Sequence, residues 1–159
     1  MKLIAALALA LGVAFTAPAL AQEKKSADTN MQILRDKIKA DKKLVVAANM
    51  NLSDAQAKQF WPIYDAYQKD LETLNRRIAK VIVEYAEADQ KGAMTDALAA
   101  KLINESIAVE QAEAAARKRV AGKLSKALPG KVAARYLQIE SKIRAAVRYD
   151  LASEIPLVE

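Results

Sequence analysis

The chain has 159 residues, 25 of them basic and 19 acidic, and contains neither histidine nor cysteine. Those two absences exclude disulfides, thiolate metal sites, cysteine nucleophiles, and the commonest general base and transition-metal ligand. Four glycines and four prolines among abundant Ala, Leu, Lys, Glu and Gln make the composition that of an all-helical protein, stabilised by packing alone.

Residues 1–21 read as a secretory signal peptide. Lys2 supplies a basic start, Leu3 to Phe15 an apolar core, and Ala19-Leu20-Ala21 a small-residue cleavage site, so cleavage is expected after Ala21. The apolar run is shorter than the ~20 residues of a membrane crossing. No other run approaches that length, so the mature chain is expected to be exported without a transmembrane segment. It would comprise residues 22–159, with a net charge of +5. Residues 22–30 (QEKKSADTN) are polar and aperiodic and are expected to form a flexible leader. Residues 31–159 suit a single helical domain.

A first helix is predicted from an N-cap at Thr29 or Asn30 to about Ala48–Asn51, with Ile33, Leu34, Ile38, Leu44, Val45 and Ala48 as a ragged apolar face and Lys37, Lys39, Lys42 and Lys43 opposite. A long second helix follows. Ser53 and Gln56 fit a capping box at its start, and Lys91-Gly92 ends it. Phe60, Tyr64, Tyr67, Leu71, Leu74, Ile78, Val81 and Tyr85 succeed one another at alternating spacings of 4 and 3, an unbroken heptad seam that must be laid against partner helices. Pro62 falls within this segment. Either the helix kinks at Phe60–Pro62, or a short helix ends there and a long one begins.

The third helix is predicted from Thr95 to Leu128-Pro129-Gly130, with Leu98, Leu102, Val109, Ala112, Ala116, Val120, Leu124 and Leu128 on one face. The fourth carries Val132, Tyr136, Ile139, Ile143, Val147 and Leu151 and stops before Pro156. A short turn between the two long helices makes them an antiparallel hairpin, giving an all-α, four-helix arrangement, open or closed. LSDAQAKQF (Leu52–Phe60) and MTDALAAKL (Met94–Leu102) share a pattern, which either shared capping rules or duplication explains.

No serine has a histidine to activate it, and no G-x-S-x-G or S-x-x-K motif occurs. Glu84/Glu87 and Glu110/Glu113 share helix faces but read as solvated surface, and no Gly-rich phosphate loop is present. Charge is polarised. Asn51–Glu113 holds seven basic and eleven acidic residues, whereas Ala114–Asp150 holds ten basic and two acidic. The basic run includes Arg117, Lys118, Arg119, Lys123, Lys126 and Arg135. It reads either as a solvated side of two helices or as a docking face for anionic or unfolded partners. Nucleic acid fits poorly, because aromatics are not interleaved with the basic residues. Phe60 and Trp61, with Tyr64 and Tyr67, are the aromatic candidates for core or contact surface. Trp61, off the seam, is the candidate contact residue.

Leu52-Ser53-Asp54-Ala55-Gln56 resembles the LTxxQ motif of the small exported Spy/CpxP-like helical proteins, with Ser for Thr, and Met94-Thr95-Asp96-Ala97-Leu98 is a partial second copy. FWPIYDAY, ARYLQIESKI and EIPLVE also resemble a group of uncharacterised small secreted bacterial proteins across most of the mature chain. The broader resemblance implies helical hairpins assembled into a cradle-like homodimer in the periplasm, acting as an ATP-independent chaperone or restraining an envelope-stress sensor. Metal-responsive relatives use histidines, which this chain lacks. The expectation is a periplasmic, cofactor-free, non-enzymatic chaperone-like or envelope-stress binding protein. Its motif residues are Leu52, Ser53 and Gln56, and its clients are unfolded or acidic polypeptides. The alternative is a structural adaptor docking one fixed envelope partner.

Overall fold

A computed structural model describes residues 41–158, in four helices. The helical residues 41–50 are α1; α2 is Asp54–Gln90, α3 Asp96–Ala127 and α4 Gly130–Glu154. The expected signal peptide, leader and start of the first helix fall outside the described residues, while that helix ends at 50, as its sequence predicts.

Local chemistry sets each boundary. Asn51 takes a left-handed φ of 48°, which Asn tolerates better than most residues, and so turns the chain between α1 and α2. Ser53 then completes a capping box: its hydroxyl accepts from the Gln56 N–H at 3.3 Å, and the Gln56 side chain accepts from the Ser53 N–H at 3.1 Å. At the far end Gly92 adopts φ 58°, its N–H donating to Asp89 O and that of Ala93 to Ala88 O, a Schellman closure. Thr95 caps α3 through the Leu98 N–H. Position 98 is a leucine, so only half of a capping box forms there. The two related sequence segments thus do the same job at two helix starts.

Pro62 lies inside an uninterrupted α2, which excludes the reading as two separate helices. Its side is exposed, where a lost backbone donor leaves the carbonyl of Lys58 open to water.

The helices run alternately up and down. Arg77–Glu105 and Lys101–Glu84 tie α2 antiparallel to α3, and Arg117–Ser141 and Arg144–Glu113 tie α3 antiparallel to α4. Lys43–Asp65 and Lys42–Gln68 set α1 against α2, while Lys42–Glu140 and Arg135–Asn49 set it against α4. The core occupies the end where all four meet. Phe60, Tyr64, Tyr67 and Leu71 of α2 pack there with Val120 and Leu124 of α3, Tyr136 and Ile143 of α4, and Val46 and Met50 of α1. Beyond Leu74 the heptad seam changes character: Ile78, Val81 and Tyr85 are only half-buried. The antiparallel hairpin is therefore present, and the four-helix arrangement is closed at one end only among the described residues.

Candidate functional site

The outer half of the seam forms one wall of a groove. No α-carbon of α4 comes within 8 Å of one in α2. α4 instead packs on α3 and stands off α2, tethered at its far end where the Tyr85 hydroxyl donates to the Pro156 carbonyl at 2.9 Å. The space enclosed by α2, α3 and α4 measures about 830 Å³, with apolar walls from Ile78, Val81, Leu102, Val109, Val147 and Leu151. Ile103, Val147 and Val158 line it while remaining 58%, 46% and 56% exposed. An amphipathic or extended polypeptide segment matches such a cleft in size and polarity.

A polar network closes its inner end. Glu140 is fully buried and accepts from Lys42 Nζ at 2.6 Å through one oxygen and from the Tyr136 hydroxyl at 3.3 Å through the other. Lys42 also donates to Gln68 Oε1 at 2.9 Å, and Gln68 Nε2 donates to the Tyr136 hydroxyl at 3.3 Å. A buried carboxylate survives only with such partners. Nearby, Glu113 is ion-paired to Arg144 and, at 3.5 Å, to Arg148. Its side chain is 13% exposed, so Glu113 is an inter-helix bridge rather than the solvated surface its i,i+3 pairing with Glu110 suggested. Elsewhere the Arg77 guanidinium hydrogen-bonds Glu105 and holds its carboxyl below the usual range.

Burial, and then the charge of Glu140, push the Tyr64 hydroxyl up to about 12; burial and Glu140 raise Tyr67 to the same value and carry Tyr136 further in the same direction. A tyrosine whose folded pKa exceeds its unfolded value of about 10 contributes stability that is complete below pH 10. That stability is lost as pH rises from 10 through 12. Two units correspond to ~2.7 kcal/mol for each tyrosine, an upper figure. Ultraviolet titration is expected to show these three phenols ionising only as the fold is lost, with urea midpoints falling steeply above pH 10.

The sequence candidates separate into groups. Leu52, Ser53 and Gln56 form the α2 start, with Leu52 packed on the core. Phe60 has no exposed surface, so its ring is unavailable to a partner in this fold; it contacts Trp61, Tyr64 and Tyr136 at centroid distances of 4.9, 5.8 and 5.0 Å. Trp61 is half-buried beneath Lys43, whose ammonium lies 5.1 Å from the ring centre. In the basic run, Arg117 donates to Ser141 Oγ, Arg119 pairs with Asp70 at 3.5 Å, and Arg135 donates to the Asn49 carbonyl at the end of α1. Lys118, Lys123 and Lys126 are exposed on α3 and have no ion pair among the described residues. The groove residues and the Lys42–Glu140 pair are what sequence reasoning missed. The available signals were a seam longer than its partners and a lone acid, Glu140, amid a basic run.

Among the described residues no helix is long and apolar enough to cross a membrane. Comparison with family models, curated proteins and solved structures finds no match to this chain.

Proposed function

We propose that the protein is an ATP-independent, chaperone-like binding protein of the periplasm, as its LTxxQ-like motif suggests, and that it holds apolar segments of partly unfolded or acidic polypeptides in the groove. The single observation that carries this reading is an apolar cleft of about 830 Å³ walled by three helices, half of whose seam remains uncovered among the described residues. A monomeric fold rarely leaves so much contiguous apolar surface accessible without a use for it. Lys118, Lys123 and Lys126 of α3, which have no ion pair among the described residues, supply long-range attraction for acidic clients, which raises encounter rates more than affinity. No nucleotide or histidine chemistry is needed, because holding a client requires only burial of its apolar surface.

The mature chain is expected to suppress light scattering by an aggregating acidic client at stoichiometric ratio. Replacing Lys118, Lys123 and Lys126 together by Glu is expected to slow suppression several-fold at low salt and to leave it unchanged at high salt, where screening removes the steering. Stability should move by no more than ~0.5 kcal/mol per site, since all three are solvated. Unchanged scattering at stoichiometric excess of the unmodified protein contradicts the proposal.

A further inference from the structure

The closed end of the bundle is basic on its outside. From Ala114 to Asp150 the chain holds ten basic and two acidic residues. Of the two acids, Glu140 is buried against Lys42, and Asp150 lies toward the far end of α4. Of the ten cations, Arg119 is paired with Asp70, and Arg144 and Arg148 with Glu113. That leaves Arg117, Lys118, Lys123 and Lys126 on α3 and Lys131, Arg135 and Lys142 on α4, all exposed and without an ion pair among the described residues. The carboxylates of α2 at this end do not neutralise them. Asp65 and Asp70 are taken by Lys43 and Arg119, and Asp54 is offset in charge by Lys58, one turn later.

Helix pairing gathers the seven. The Arg117 guanidinium donates to Ser141 Oγ, which sets α3 against α4 at that level. Counting from there toward the Leu128-Pro129 turn, Lys123 stands near the level of Arg135 and Lys126 near that of Lys131. The whole group therefore occupies about 15 Å of helix length. None of the seven lines the groove.

We propose that this end of the molecule docks on an anionic lipid surface. A discrete ligand is gripped where polar groups converge in a concave site. Here the cations stand around the outer sides of two helices, an extended band that meets many headgroup charges at once. Each basic residue close to such a surface strengthens adsorption about fivefold. The orientation of the docked molecule follows. Ser125 sits within the band, whereas the α2–α3 turn, with Gln90 beside it, lies ~45 Å away along α3. The outer half of the groove, from Ile78 to Tyr85, therefore stays clear of the lipid. The docking does not rest on the client-binding reading above.

Cosedimentation of the mature protein with vesicles is the first measurement. Binding to vesicles of equal phosphatidylcholine and phosphatidylglycerol is expected at ~0.1 M salt and is expected to vanish at ~1 M, where the Debye length falls from ~10 to ~3 Å. Vesicles of phosphatidylcholine alone should not bind. Lys131→Glu with Lys142→Glu, placed on α4 away from the three lysines that steer clients, is expected to weaken binding at least tenfold without moving the urea midpoint. Undiminished binding of that variant, or equal binding to the two kinds of vesicle, overturns the docking. Capture by soluble polyglutamate but not by the mixed vesicles assigns the band to acidic polypeptide and overturns it as well. Because the chain has no cysteine, a dye on Ser125→Cys or on Gln90→Cys reports orientation without background. A quencher carried on the lipid headgroups is expected to dim the dye at 125 several-fold more than the dye at 90, and equal dimming overturns docking by this end.

Discussion

Replacing Lys42 by Met is expected to lower stability by about 2–4 kcal/mol in urea unfolding at pH 7. Glu140 is fully buried, and Lys42 is its only ion-pair partner among the described residues. Removing one partner of a buried pair leaves a carboxylate without compensation, at a cost of roughly 3–5 kcal/mol. The Lys42 side chain is 24% exposed, so water recovers part of that cost and sets the lower figure. Removing both charges, Lys42→Met with Glu140→Leu, is expected to restore most of the loss, because the desolvation penalty goes with the attraction. Tyr136 and Gln68 then lose partners, which keeps the double variant from full recovery. A single Lys42→Met variant within 0.5 kcal/mol of the parent contradicts the pairing.

Phe60→Ala is expected to cost about 3–5 kcal/mol, the usual loss for a fully buried aromatic. The ring lies edge-on to Trp61 and Tyr136, with interplanar angles of 70° and 77°, so truncation removes favourable aromatic geometry as well as burial. Against a typical total of 5–15 kcal/mol, the variant should be largely unfolded in mild denaturant. Urea midpoints give the loss, and near-ultraviolet circular dichroism should show Trp61 losing its fixed environment. A cost below 1 kcal/mol would place Phe60 outside the core.

Helix boundaries were legible residue by residue because they depend on local chemistry. Ser53, Thr95, Lys91-Gly92 and Pro129-Gly130 all act where the sequence places them. The first half of the seam, Phe60 to Leu74, was legible as core for the same periodic reason. What a heptad pattern does not reveal is how many partners each turn has. Ile78, Val81 and Tyr85 repeat as regularly as Phe60 and Tyr64, yet they line a groove because they lie beyond the level of Gln68 and Glu140, where the described part of α1 begins. In the sequence, their bulk and the neighbouring Pro62 mark Phe60 and Trp61 as candidates for a contact surface. The structure uses that bulk to anchor four helices and covers Trp61 with Lys43. Glu140 was hidden for another reason: in sequence it is one acid among basic residues, and its burial depends on Lys42, 98 residues away.

Charging the outer end of the groove tests the central claim most directly. Ile103 and Val158 line it while remaining 58% and 56% exposed, so Ile103→Glu with Val158→Glu should leave the urea midpoint unchanged. Light scattering of an aggregating client is then the measurement. Loss of most suppression at equal folded concentration is the expected result, because the apolar foothold is gone. Suppression equal to that of the unmodified protein would contradict the assignment of the groove as the client site.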